Sequence, residues 1–231
     1  MTRRLAAIAM AVCLPLAAKA PKAAMPVVTD EKVDFAAGGS IEVTGSVGEL
    51  NIEAWDGPGV EITVTRSTYR TDTPRDRENA QRQLSAIKVT SERKSPTELS
   101  IHTAIPQRSF WAKVFHCGHN YQLDYRIRVP RDTKLALHHG TGDVFVSQVA
   151  GDIDASVRVG DIVLHLPTAG PYSVDAQCSF GGVYSDFGGT YRTGHLVSER
   201  FAESGTGAAK KLHLRVGIGG ISIQKVAVAT M

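Results

Sequence analysis

The feature that most constrains this chain is a two-residue junction that recurs along it. At Gly160-Asp161 the alternation of apolar residues changes parity. Before the junction the apolar positions are Ile153, Ala155, Val157 and Val159, and after it they are Ile162, Leu164 and Leu166. Period-two alternation marks a strand with one buried face. A parity change across small or turn-forming residues lets the chain turn a corner and keep the same face inward. Four further junctions have this form: Gly48-Glu49, Gly142-Asp143, Gly181-Gly182 and Gly219-Gly220. From Gly142 to Gly160 is 18 residues, from Gly160 to Gly181 is 21, and from Gly181 to Gly219 is 38.

This recurrence predicts an all-β chain. The first reading is a β-solenoid or β-helix-like array of about 19 residues per rung, each rung stacked on its neighbour at about 4.8 Å. The alternative is an antiparallel β-sandwich, whose short strands also recur at regular spacing. In either case Val144, Ile162, Val183 and Ile221, each placed just after a corner, are expected to face inward.

Residues 1–20 read as a signal peptide. Arg3 and Arg4 precede an apolar run, small residues follow, and no acidic residue appears before Asp30. Ala18-Lys19-Ala20 fits the cleavage rule, with Pro21 against it; cleavage after Ala18 is the other choice. The apolar run is short for a membrane span. Val12 before Cys13 does not fit lipoprotein processing. Residues 21–39 read as a loose lead-in and residues 40–231 as one domain. Of 26 Lys and Arg, Arg3, Arg4 and Lys19 lie in the first 20 residues, so the remainder balances 23 against 23 acids. That balance gives no global electrostatic case for nucleic acid or an anionic membrane.

One short helix is predicted near residues 74–88. Thr73 caps it, Pro74 takes the first helical position, and Asp76 completes a capping box. Ala80, Leu84 and Ile87 form its apolar stripe. Its basic face is read as solvated, the helix covering an exposed strand edge. A hairpin follows over 88–103, with Lys94-Ser95-Pro96-Thr97 at its tip. Trp55, before Asp56-Gly57-Pro58-Gly59, is read as a packing cap and not a ligand platform. Residues 104–120 break the pattern with Phe110, Trp111, Phe115, His116, Cys117 and His119. They are either a binding loop or a cover for the sheet edge.

Chemistry is sparse. His116, Cys117 and His119 offer metal ligands that His138 and His139 would have to complete, and no standard spacing supports them. Gly142, Gly151 and Gly160 are nine apart, but the calcium-roll motif needs a different Asp position. Asp143, Asp152 and Asp161 are instead expected to bond their own turns. Cys117 and Cys178 either pair or leave Cys178 as a buried apolar thiol. Asp152 with Asp154 would suit a glycosidase groove, yet the outward positions Asp154, Ser156, Arg158, Lys211, His213 and Arg215 read as a solvated face. No catalytic, cofactor-binding or metal-binding residue is assigned, and no cofactor is expected.

Gly48-Glu49-Leu50-Asn51-Ile52-Glu53-Ala54-Trp55-Asp56-Gly57, Val129-Pro130 before Leu135, the Gly-Asp-Val/Ile units and the closing Gly217-Ile218-Gly219-Gly220-Ile221-Ser222-Ile223 occur in a characteristic order. Over roughly residues 40–226 the chain resembles the bacterial putative adhesin domain family. The resemblance implies an exported, all-β cell-envelope protein without known catalytic residues or cofactor; the 104–120 loop is not part of it. The expected function is a non-catalytic adhesin-like binding or structural module. The alternative is a periplasmic envelope-stress or regulatory accessory acting through a protein partner, and a third reading is a carbohydrate-active β-helix enzyme. The expected partner is an envelope protein or polymer. No nucleic acid and no membrane span after cleavage are expected.

Overall fold

The structure is a computed structural model that describes residues 26–68, 73–104, 121–168, 171–194, 198–204 and 209–227. The signal-peptide reading, Cys117, and the loop 105–120 lie outside the described residues.

Five strand pairs carry the corner glycines. They are β2 (Ser40–Val47) with β3 (Glu49–Trp55), β8 (Lys134–Thr141) with β9 (Val144–Ser147), β10 (Ile153–Val159) with β11 (Ile162–Pro167), β12 (Tyr172–Phe180) with β13 (Val183–Ser185), and β16 (Lys210–Ile218) with β17 (Ile221–Val226). Around them run β1 (Val27–Val33), β4 (Val60–Thr68), α1 (Pro74–Ala86), β5 (Lys88–Ser95), β6 (Glu98–Ala104), β7 (Tyr121–Pro130), β14 (Thr190–Thr193) and β15 (Glu199–Glu203). Each corner sends the first strand of its pair into one sheet and the second into the other. The first sheet has the order β1-β4-β7-β3-β9-β11-β17-β13, and the second β14-β15-β12-β16-β10-β8-β2-β6-β5. Both are open and mixed: the first is antiparallel only at its β1-β4-β7 end and parallel from β7 to β13, and the second is parallel from β12 to β6 with antiparallel strands at both ends.

The two-sheet alternative fits this architecture, although its central strands are parallel. The strand pairs do not stack in chain order as successive solenoid rungs would, because the pair β16–β17 lies between β10–β11 and β12–β13. After β11 the chain leaves one position open, builds β12–β13 beyond it, then returns with β16–β17 to fill the gap. Every pair offers the same apolar rows, so the local pattern carries no information on stacking order.

The corners explain why glycine recurs. Gly219 has φ +140° and Gly160 φ +135°. A Cβ on Gly219 would lie 2.1 Å from the Gly160 carbonyl oxygen. The corners therefore stack backbone on backbone, at a dihedral that L side chains rarely adopt. The Gly160 amide donates to Ile218 O, and Ile162 N–H donates to Gly220 O across the same column. Asp143 Oδ1 accepts from Asp161 N–H at 2.9 Å, and Asp161 Oδ1 accepts from Gly220 N–H at 2.6 Å. Asp152 Oδ1 likewise accepts from Lys211 N–H. These aspartates thus bond the neighbouring strand pair, not their own turns, and Asp143 and Asp161 tie the corners into a column.

Immediately after the corners Val144, Ile162, Val183 and Ile221 are buried in adjacent strands, as the parity rule requires. They pack against rows such as Val43, Leu137, Ala155, Leu214 and Ala176 from the other sheet, within one core. Just before the corners the parity rule fails. Val159, Phe180 and Ile218, which alternation places inward, are exposed. They lie at the strand ends, where the chain has begun to turn and the opposite layer no longer covers them.

The helix and hairpin form as expected. Thr73 Oγ1 accepts from Asp76 N–H at 3.1 Å, and Asp76 accepts from Thr73 N–H at 3.2 Å. Ala80, Leu84 and Ile87 are buried. The stretch read as a loose lead-in contains β1, paired antiparallel with β4. Its hold is polar: Thr63 donates to Asp30 and Arg66 donates to Thr29. Residues 27–32 are all exposed, so no apolar alternation announces this strand.

Candidate functional site

A ridge of exposed large apolar side chains arises from the corner failure just described. Register places Val159 beside Ile218 and Ile218 beside Phe180, on three neighbouring strands. Their exposures are 38%, 55% and 55%, and Tyr184, just past the same corner, is 58% exposed. Aligned large apolar side chains at a surface mark a contact region more than scattered ones do. On the first sheet's outer face, Phe145, Val163, Ser222 and Tyr184 form a row in adjacent strands. A shallow hollow of about 380 Å³ lies there, lined in part by Val163, Tyr184, Gly220 and Ser222.

The neighbouring sheet edge is closed by side chains. Glu199 accepts from Val183 N–H at 2.8 Å, and Tyr191 Oη accepts from Ser185 N–H at 3.2 Å. Both amides belong to the terminal strand β13, so the edge's free donors are occupied and strand addition is discouraged. The ridge thus offers side chains, and the edge beside it little backbone.

The outer face of the second sheet is polar. Asp175 accepts from Arg215 Nη2 at 2.7 Å and from Arg200 Nε at 3.0 Å. Burial pushes the Asp175 carboxyl up, but the hydrogen bonds and charges of Arg215 and Arg200 outweigh it and hold the group below the usual range. Asp152 is committed to a backbone amide and Asp154 is exposed. The pair Asp152 and Asp154 therefore does not form two free carboxylates facing one groove.

The histidines read as possible metal ligands are separated. His138 is exposed and 3.0 Å from Ser156 Oγ, whereas His139 is buried on the opposite face of the same strand. Among the described residues no group of three or more His, Cys, Asp or Glu is arranged to hold a metal. His116, Cys117 and His119 lie outside them. Cys178 is a buried thiol within 3.0 Å of the Gly219 carbonyl oxygen, and burial pushes its pKa up. Trp55 donates from Nε1 to Gly59 O at 3.2 Å, closing its own turn as a packing residue would.

His139 has a structural role that sequence reasoning missed. Gly45 stands opposite it, and a Cβ there would lie 2.6 Å from His139 Nδ1, so the glycine makes room for the ring. Nε2 lies 2.7 Å from Gly48 O and 3.1 Å from Thr141 O. Both are acceptors, which assigns the proton to Nε2. Nδ1 is buried without a partner among the described residues. Burial pushes the His139 pKa down, against the raising effect of the two carbonyls.

As pH falls below about 6.5, the unfolded chain therefore takes up a proton that the folded ring resists. Stability present above that pH is lost as pH falls toward the folded value, by at most about 1.4 kcal/mol per pH unit. Chemical denaturation between pH 7.5 and pH 5 should show this loss in the native chain, and a shallower one in His139→Leu. Equal slopes would contradict the assignment.

No family model matches the sequence, and no curated protein matches it. Among solved structures, a putative cell adhesion protein from Clostridium sporogenes is 13% identical, with a TM-score of 0.53, over 87% of this chain and all of that one. A putative adhesin from Bacteroides fragilis is 10% identical over 87% of this chain and 97% of that one, with a TM-score of 0.27. Another, from Parabacteroides distasonis, is 15% identical over 68% and 61%, also at 0.27. The first likeness is one of fold, and it agrees with the adhesin resemblance carried by the motifs.

Proposed function

We propose that this chain is an exported, non-catalytic, adhesin-like binding module of the bacterial cell envelope. The observation that carries the reading is the ridge of Val159, Ile218, Phe180 and Tyr184 on a rigid two-sheet scaffold. Exposed aromatic and aliphatic anchors on a fixed frame bind without losing much side-chain freedom. The fold likeness to a protein described as a cell adhesion protein supports the same direction. No helix among the described residues is long and apolar enough to cross a membrane.

The test uses protein lacking residues 1–20 and envelope extract from the producing cells. Retention of the native chain, and its loss in Phe180→Ser/Ile218→Ser with an unchanged melting temperature, would support the reading. Equal retention of both proteins would move the contact elsewhere, and no retention of either would remove the binding claim. Cell fractionation with mass spectrometry of the mature N-terminus tests export: an intact Met1 in the cytoplasm would contradict it.

A further inference from the structure

We propose that the outer face of the second sheet binds an extended acidic polysaccharide running across the strands; this adds a second surface, distinct from the corner ridge, and rests on the envelope-binding reading above. Strand register aligns Arg192, Arg200, Gln177, Arg215, Ser156 and His138 in one row over six neighbouring strands. At a strand spacing of about 4.8 Å the row spans about 24 Å, the reach of a polymer segment and not of one small molecule. All six positions are exposed or partly exposed.

Two hollows lie along this row. One, of about 500 Å³, is bordered by Thr190, Arg192 and Arg200, with Glu203 as the one carboxylate in its lining. The other, of about 330 Å³, is lined by Ser156, Arg158, Gln177, Ser179, Arg215 and Gly217. Gly217 packs directly against the Arg158 backbone, since a Cβ there would lie 2.4 Å from the Arg158 carbonyl oxygen. Asp175 holds the guanidinium of Arg215 in place. Arg158 and Arg192 form no ion pair among the described residues, so their charges are open to a ligand.

The donor set distinguishes classes of polyanion. Arginine binds carboxylate through paired N–H groups, while the Ser156 and Ser179 hydroxyls and the Gln177 amide match hydroxyl-rich neighbours. Asp154 and Asp175 interrupt the positive field. With the balanced charge of residues 21–231, the face suits a polymer of spaced charges better than the dense backbone of a nucleic acid.

Polygalacturonate serves as the probe, with dextran as a neutral polymer and polyglutamate as an acidic peptide. Affinity electrophoresis of the chain lacking residues 1–20 should show retardation by polygalacturonate, none by dextran, and roughly tenfold weaker binding of polyglutamate. Arg158→Gln/Arg192→Gln should weaken polygalacturonate binding by about tenfold or more at an unchanged melting temperature. Phe180→Ser/Ile218→Ser should leave it intact. No retardation by polygalacturonate, unchanged affinity in the arginine variant, or equal binding of polyglutamate would each overturn the proposal. If the native chain is retained by envelope extract yet ignores polygalacturonate, only this inference falls; if extract fails to retain it, the underlying reading falls as well.

Discussion

Gly219→Val should leave the chain largely unfolded, whereas Ser222→Val three residues away should change stability little. The valine Cβ would be forced to within 2.1 Å of the Gly160 carbonyl oxygen, at φ +140°. Neither partner can retreat, because both are backbone in one hydrogen-bonded column. Positive φ alone costs about 1–2 kcal/mol for a side-chain-bearing residue, and the steric overlap raises the total to about 4 kcal/mol or more. Ser222 is a partly exposed strand residue, where a β-branched side chain is well tolerated. Urea denaturation of the two variants measures the difference, and equal midpoints would show that the corner is not built backbone on backbone.

Ile162→Asp should be comparably severe for a different reason. Ile162 is fully buried, between Val144 and Ile221 in the sheet. A carboxylate there has no cation in its row, so it must stay unpaired or take up a proton. Either state, with the lost packing, costs more than about 4 kcal/mol. Circular dichroism and thermal melting of the purified variant test this, and a cooperative melt near the native temperature would contradict the inward placement of the post-corner row.

Much of this fold was legible because its signals are local. The parity change marks the corners at Gly142, Gly160, Gly181 and Gly219, and all four have positive φ. Thr73 and Asp76 announce the helix by chemistry that needs no tertiary partner. Stacking order was not legible, because each pair carries the same alternation and any pair fits beside any other. Alternation also misplaced Phe180 and Ile218, since it reports only the side of the strand, not whether the opposite layer reaches that far. The ridge is the product of that misplacement. The row from Arg192 to His138 was equally hidden: its members come from six strands and meet only through register. Asp143 and Asp161 looked like turn residues, whereas their acceptors serve amides 18 and 59 positions along the chain.

Stacking order is the central claim, because it decides which side chains meet on both outer faces. Engineered cysteine pairs test it in the chain lacking residues 1–20, and with them Cys13, in a background where Cys117 is serine and Cys178 alanine. Val163 and Ser222 are register partners on β11 and β17, and Ser222 is also the partner of Tyr184 on β13. Adjacent strands bring Cα atoms within disulfide range, while strands two apart lie about 9.6 Å from each other. Val163→Cys/Ser222→Cys should therefore cross-link readily under mild oxidation, and Val163→Cys/Tyr184→Cys should stay reduced. The opposite outcome, with the Val163/Tyr184 pair cross-linking and the Val163/Ser222 pair not, would place β13 beside β11 and contradict the fold.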